Sequence, residues 1–280
     1  MKQEKDNKIL KKLAEDDQSD RAKMRLGEMT VETMRQNDNA RLEKLETEIQ
    51  SGRVKTVQDH RNAGLIFHHI RNAPHCKDMA VKMLRKSAEL DNYERVGIKW
   101  LLAAAIDRRL QDKNQPQIYG TQYFQDEEGI WKLHEFDPSK ISDEERKKYG
   151  VITIDKHTDA LEKMNKKQLA DLYIELKDTS KVEAFCIDNQ DNENFDLSWR
   201  AISQFAFYLK RSGKITEAIQ MFELAIKLYP QEYDVYHSLG LLYEEIGEIE
   251  KAITFIEKSV TINSNFKDGL KDLARLKAAA

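Results

Sequence analysis

The stretch LGLLYEEIGEIEKAITFIEKSV, residues 239–260, decides how this chain is read. Shifted by 34 residues, it registers on the segment before it: Phe205 meets Leu239, Ala206 meets Gly240, Leu209 meets Tyr243 and Gly213 meets Gly247. Further along, Ala218 meets Ala252, Phe222 meets Ile256, Ala225 meets Ser259 and Pro230 meets Ser264. A fixed period of this length is one helix-turn-helix unit used twice. Gly213 and Gly247 supply the turns between antiparallel helices. Ala206 and Gly240 have almost no side chain, so a partner helix can approach closely. Phe205, Phe222, Leu239 and Tyr243 fill the space between helices. The spacing predicts helices at 198–212, 215–229, 233–246 and 249–262. A fifth, amphipathic helix at 266–278 is expected to cover the open end, as a stack of repeats requires.

The Leu-Gly-x-x-Tyr run, the turn glycine and the small Ala252 and Ser259 resemble the tetratricopeptide repeat (TPR). Ile202 and Tyr236 stand where that family usually has Trp, and Ser264 replaces its Pro. The resemblance implies a face that binds a peptide or helix of a protein partner. A stabilising appendage, or a dimerisation surface that makes a homodimer, is the alternative.

Composition narrows the rest. The chain has 280 residues, 40% hydrophobic and 34% charged, and only 4 Pro and 11 Gly. That predicts a mostly α fold. Lys+Arg 46 against Asp+Glu 49 gives a net charge of −3, which argues against a nucleic-acid binder. No window approaches the roughly 18–20 apolar residues that a membrane span needs, and the N-terminus carries no apolar signal core. Cys76 and Cys186 are expected as free thiols of a cytoplasmic protein. No phosphate-loop, dinucleotide, HExxH or GxSxG pattern occurs, so no cofactor and no metal is expected.

Residues 3–113 read as helices. RLEKLETEIQ (41–50) ends near Gly52, Thr56 or Asp59 opens a helix reaching Asn72, and Pro74 opens the next over 75–90. VGIKWLLAAAI, within a helix at about 95–112, is apolar on nearly every face and predicts a buried central helix. Helical spacing puts Asp107 on its Trp100–Ala103–Ala104 stripe. A buried carboxylate needs a partner, either Arg21 or a backbone donor in the following loop. QIYGTQYFQDEEGIWKLHEF (117–136) predicts a hairpin with strands Ile118–Gln125 and Ile130–Phe136 and Gly129 in its turn. Pro116 forces a turn directly after the Asp107 helix, so the Tyr119–Gln122 strand should pack on that helix's end. The amides of Gln117 and Gln122 are candidate partners for its last carbonyls. Ser142 with Glu145 matches a capping box. Residues 159–176 predict one amphipathic helix. The acidic run 178–196 predicts an exposed link in which 182–187 is extended.

DDQSDR (16–21), DHRNAGLIFHHI (59–70), KWLLAAAIDRRL (99–110), QIYGTQY (117–123) and SDEER (142–146), in that order, resemble an uncharacterised family of bacterial domains. That family shows Asp-Gln-x-x-Arg, Gln-His, Asp-Arg and Tyr-Gly-Thr-Gln motifs. The resemblance covers about residues 10–150 and carries over Asp17, Gln18, Arg21, His69, Asp107, Arg108, Gln117, Tyr119, Gly120, Thr121 and Gln122. His68 stands where the family usually has Gln. The family supplies candidate residues and no reaction. These polar groups either converge on one pocket or form a buried network that locks the hairpin onto the helices.

The chain therefore reads as three parts. Residues 1–154 form a helical domain with a hairpin at about 117–136. Residues 155–196 hold a bridging helix and an acidic linker, and 197–280 hold two TPR-like repeats plus a capping helix. The leading function is protein–protein interaction through the repeats. The alternative is an enzyme, such as a hydrolase, in the N-terminal domain. There Asp107 or His69 would be the acid–base group, and Asp17, Arg21, Arg108, Gln117, Tyr119, Thr121 and Gln122 would hold substrate, with Arg21 and Arg108 on an anionic one.

Overall fold

The computed structural model describes residues 5–71 and 73–279. The expected extension of a helix to Asn72, and the expectations for residues 1–4 and 280, lie outside the described residues. The chain divides into two compact units. The first comprises residues up to Arg21 together with Met29–Asn165, and the second Ala22–Glu28 together with residues from Lys166 on. Among the described residues the fold is fourteen helices and one short two-stranded hairpin.

α1 (Lys8–Arg25), of which residues 8–21 belong to the first unit, is followed in that unit by α2 (Val31–Gln50), α3 (Val57–His69), α4 (His75–Leu90) and α5 (Val96–Asp112). Their ends follow local chemistry. Thr30 Oγ1 accepts the Thr33 N–H at the start of α2, and Gly52 (φ +67°) lies just past its end. Thr56 and Asp59 make a reciprocal capping box on α3. α3 and α4 press together at Gly64, where an added Cβ would lie 2.5 Å from Leu84 Cγ. Leu10, Leu45, Ile66, Phe67, Leu84, Ile98 and Leu102 form the centre of this core. α5 is not buried all round, as its composition predicted. Val96 and Trp100 are 52% and 45% exposed. They lie four residues apart on one face, and Ile98, Leu101 and Leu102 take the core side instead.

The hairpin is shorter than its sequence suggested. β1 (Tyr123–Gln125) pairs antiparallel with β2 (Trp131–Leu133), Tyr123 opposite Leu133. Gly129 (φ +80°) sits in the turn. Residues 118–121 leave the ladder because their N–H groups are drawn to the Asp107 carboxylate. α6 (Asp143–Lys148) starts on Ser142, whose Oγ accepts the Glu145 N–H at 3.2 Å. A single 3₁₀ turn (Ile154–Lys156) leads into α7 (His157–Met164).

The second unit contains α8 (Leu169–Leu176), α9 (Thr179–Asp188), α10 (Trp199–Ser212), α11 (Ile215–Leu228), α12 (Tyr233–Glu245), α13 (Ile249–Ile262) and α14 (Lys267–Ala279). Two expectations are corrected. Residues 159–176 are two helices rather than one, since Lys167 bonds in extended fashion to Asn194 and Asp196. The run 182–187 is helical and core-facing, not extended. Asp178 caps α9, and Val182 and Cys186 are fully buried. α10–α13 form the two expected helix hairpins, turned at Gly213 (φ +93°) and Gly247 (φ +83°). A Cβ on Gly240 would sit 2.5 Å from Ile256 Cγ1 and 3.1 Å from the Ala252 carbonyl, which is why the position is glycine. Leu276 of α14 is buried, and Arg275 pairs with Glu244 of α12.

Ala252 is fully buried between α12 and α13. Ala252→Leu should overpack that contact and cost about 1–3 kcal/mol, read as a lower urea midpoint of the full chain. An unchanged midpoint contradicts the packing described.

Candidate functional site

Asp107 lies on the last turns of α5 and is fully buried. It finds no cation. Its Oδ1 accepts the Ile118 and Tyr119 N–H groups at 2.9 Å each, and its Oδ2 accepts the Thr121 N–H at 2.9 Å and the Thr121 hydroxyl at 2.8 Å. Of the two partners foreseen, the following loop serves and Arg21 does not. Four donors fill the acceptor capacity of a carboxylate, leaving none for a substrate. Gly120 (φ +77°) lets the chain wrap around it, and a Cβ there would lie 2.8 Å from His157 Nε2. Gln117, also fully buried, closes the loop. Its Nε2 donates to the Gln122 and His134 carbonyls at 3.0 and 3.1 Å, and its Oε1 accepts the Gln122 N–H at 2.9 Å. The Gln117 amide thus serves the hairpin rather than the end of α5. Tyr119 packs its ring on Tyr149, with centroids 5.1 Å apart. Its role in the loop is through its backbone.

A second group gathers where α1 meets the end of α3. Asp17 is fully buried, and its Oδ2 accepts from His69 Nδ1 at 2.8 Å and from Gln18 Nε2 at 3.0 Å. Arg21 Nη1 lies 2.8 Å from the other oxygen, out of line for a hydrogen bond, and Arg21 Nη2 reaches Asp38 at 3.0 Å. Arg41 pairs with Asp20 and Asp38, at 2.7 Å each. Burial lowers the proton affinity of His69, and Arg21 and Arg108 add to this against the pull of Asp17. Burial works against the Asp17 charge, but the His69 hydrogen bond and the nearby cations hold its carboxyl below the usual range. The pair is thus a carboxylate and a neutral imidazole. With Nδ1–H committed to Asp17, His69 leaves Nε2 as a free base.

The peptide of His68 connects the two groups. Its carbonyl accepts from Arg108 Nη1 at 3.1 Å and from Lys77 Nζ at 3.3 Å. Arg108 Nε in turn donates to Gln122 Oε1 at 3.0 Å, and Gln122 Nε2 donates to Thr121 Oγ1 at 2.9 Å and to the Ala104 carbonyl at 3.3 Å. The polar residues named from sequence thus form one connected set with two characters. Asp107, Gln117, Thr121 and Gln122 are bonded into the loop. His69, Arg21 and Arg108 keep partial access to solvent.

Sequence reasoning missed two members. Arg146, fully buried, donates to the Tyr119 and Ile118 carbonyls and stacks 4.6 Å from the Phe136 ring. In the sequence it stands only as the last residue of the SDEER segment. Lys77, 6% exposed, donates to the His68 and Ile70 carbonyls, and burial lowers it to about 8. Arg146 lies on a six-residue polar helix that gives no periodic signal of burial, and Lys77 lies in the first turn of α4, where a lysine reads as solvated.

In the second unit, α10 and α12 share a stripe of corresponding residues. Arg200, Phe207 and Arg211 lie on α10, and Leu241 and Glu245 on α12, with Lys210 2.5 Å from Glu245. The Arg200 guanidinium stacks on Trp199 at 4.2 Å, and that of Arg211 lies 5.9 Å from the Phe207 ring centroid. The tetratricopeptide repeat family matches residues 200–232 and 233–266. Residues 200–266 are two tetratricopeptide repeats. No curated protein matches the chain in sequence. Among solved structures, a human IFIT1 dimer with m7Gppp-AAAA is 16% identical over 87% of this chain, at a TM-score of 0.29. This chain spans 42% of that IFIT1 chain. YrrB, a TPR protein with an unusual peptide-binding site, is 14% identical over 81% of this chain and 96% of its own, at a TM-score of 0.29. The human IFIT1 dimer with PPP-AAAA is 12% identical over 98% and 69%, at the same score.

Two outcomes follow for the first unit. Asp107→Asn keeps the shape but turns an N–H toward a loop donor. It should cost about 1–3 kcal/mol, measured by urea denaturation, because a buried N–H loses its acceptor. An unchanged midpoint contradicts the clasp. His68 and His69 both bind protons more weakly when folded than the ordinary 6.5. The unfolded chain therefore takes up protons first, so their stabilising effect is complete above about pH 6.5 and is lost as pH falls below it. Melting midpoints should drop between about pH 7 and about pH 5, and less steeply in His69→Gln.

Proposed function

We propose that this is a protein-interaction protein whose repeats hold a segment of a protein partner. The observation that carries the reading is the repeat pair at 200–266, whose partly buried Phe207 and Leu241 keep some access to solvent and are accompanied by the exposed Arg200 and Arg211. Aromatic and arginine side chains on a rigid helical face are what a bound segment is anchored by. A homodimer through the same face is the competing occupant. The net charge of −3 speaks against nucleic acid as the partner. Cys76 and Cys186 are free, and burial raises both thiols, which suits a reducing cytoplasm. No helix of the described residues is long and apolar enough to cross a membrane. A photo-crosslinker at position 207 should trap a partner chain, and Arg211→Glu should abolish the product. Equal yields from position 207 and from the outward Lys227 would contradict the reading, and a crosslink to a second copy would favour the homodimer.

A second reading concerns the first unit and rests on the Asp17–His69 pair. The unit would be an enzyme, with His69 Nε2 as the base that takes a proton from water or a hydroxyl. Asp17 fixes the tautomer, Arg21 holds Asp17, and Asp107 positions the loop that carries Gln122. The ¹⁵N shifts of His69 at neutral pH test this. A protonated Nδ1 and bare Nε2 are expected, and the opposite tautomer removes the base.

A further inference from the structure

Around the end of α3, cations outnumber the carboxylates able to neutralise them. Asp17, Asp20 and Asp38 are taken up by Arg21 and Arg41. Among the described residues, no carboxylate pairs with Lys77, Arg108 or Arg71. Lys77 is explained by the helix itself: its ammonium covers the His68 and Ile70 carbonyls at the negative end of α3. Arg108 is not explained that way. A guanidinium carries five N–H donors. Arg108 spends one from Nε on Gln122 and one from Nη1 on the His68 carbonyl. Its Nη2 has no acceptor among the described residues. Arg71, exposed and two residues past His69, is close enough to weaken the proton affinity of both Arg108 and Lys77. Burial comes first among the causes, and it takes Arg108 down to about 10. A group held this way, partly desolvated and facing like charges, gains from an anion.

We propose that the open edge of Arg108, with Arg71 and the Nε2 side of His69, binds a phosphate group of a small-molecule ligand. Lys77 adds charge from behind, through the shared His68 carbonyl. The planar edge of Arg108 suits two oxygens of one phosphate, and the remaining positive charge suits a dianion better than a monovalent carboxylate. The assignment rests on the second reading above for the placement of the His69 ring, with Nε2 toward this side, and not for its tautomer. It deepens that reading by naming the ligand class.

The test uses the full chain, inorganic phosphate and pyrophosphate, with sodium chloride and acetate at matched ionic strength as controls. Two readouts are followed: the melting midpoint, and the NMR titration of His69. The charged groups facing that ring are Asp17, Arg21 and Arg108, with His68 adjacent. Phosphate should raise the midpoint more than chloride or acetate does, and should raise the His69 pKa, because an anion at Nε2 favours the imidazolium. Arg108→Gln should remove both effects. Should Arg108→Gln fail to fold, Arg71→Gln serves, because Arg71 is exposed and forms no hydrogen bond among the described residues. It should weaken phosphate binding several-fold while leaving the ligand-free midpoint in place. The proposal is overturned if phosphate acts no differently from chloride, if the His69 titration does not move, or if both variants respond as the parent does. The two readings separate cleanly. An Nδ1–H tautomer without a phosphate effect sinks the anion site alone. An Nε2–H tautomer with an Arg108-dependent phosphate effect sinks the base and keeps the anion site.

Discussion

One carboxylate organises the first unit. Asp107 is buried at the end of α5 and accepts three backbone N–H groups and a hydroxyl from residues 118–121. An isolated charge at that depth would be prohibitive, and four donors make it tenable. The same four bonds dictate what lies downstream. They pull 118–121 out of the hairpin, set Gly120 in a left-handed conformation, and present Gln122 to Arg108. Arg146 holds the loop from its other side through the Ile118 and Tyr119 carbonyls. The geometry of Arg108, and through the His68 peptide that of the Asp17–His69 pair, follows from this clasp.

This division of labour separates Asp107 from Asp17. Asp107 has its acceptors filled and acts on structure. Asp17 has one oxygen on His69 and the other beside Arg21, an arrangement that orders a titratable ring while leaving Nε2 uncommitted. Buried polar networks are usually justified by specificity of fold, and the Asp107 side conforms to that. The histidine side departs from it, since His68 Nδ1 and Asp17 Oδ1 are buried without hydrogen-bond partners. Unpaired buried atoms beside a titratable pair are where a site is expected, although Arg146 Nε and His157 Nε2 at the loop are likewise without hydrogen-bond partners among the described residues.

How much was legible in sequence depended on whether the deciding force was local. The repeat helices were, because a 34-residue period carries both their ends and their packing. The predicted 215–229 and 249–262 are the observed Ile215–Leu228 and Ile249–Ile262. The caps at Thr56 and Ser142 were legible for the same reason. α9 was not: Val182 and Cys186 are its buried face, but the acidic residues around them mask the period. The truncated strands at 118–121 were unreadable because a side chain eleven to fourteen residues earlier outbids the ladder for their N–H groups. The exposed Trp100 was misjudged because composition registers hydrophobicity and not which face of a helix has a neighbour. Among site residues, Asp17, His69, Arg108 and Gln122 came from motif resemblance. Lys77 and Arg146 emerged only from the geometry.

Native-state amide hydrogen exchange tests the Asp107 clasp most directly. Ile118, Tyr119 and Thr121 lie outside any strand, so an unanchored loop would exchange them as fast as the exposed turn at 126–129. The structure predicts protection of all three comparable to the amides of α5, and its loss at these three positions first in Asp107→Ala. Rapid exchange of these amides in the unsubstituted protein would contradict the account.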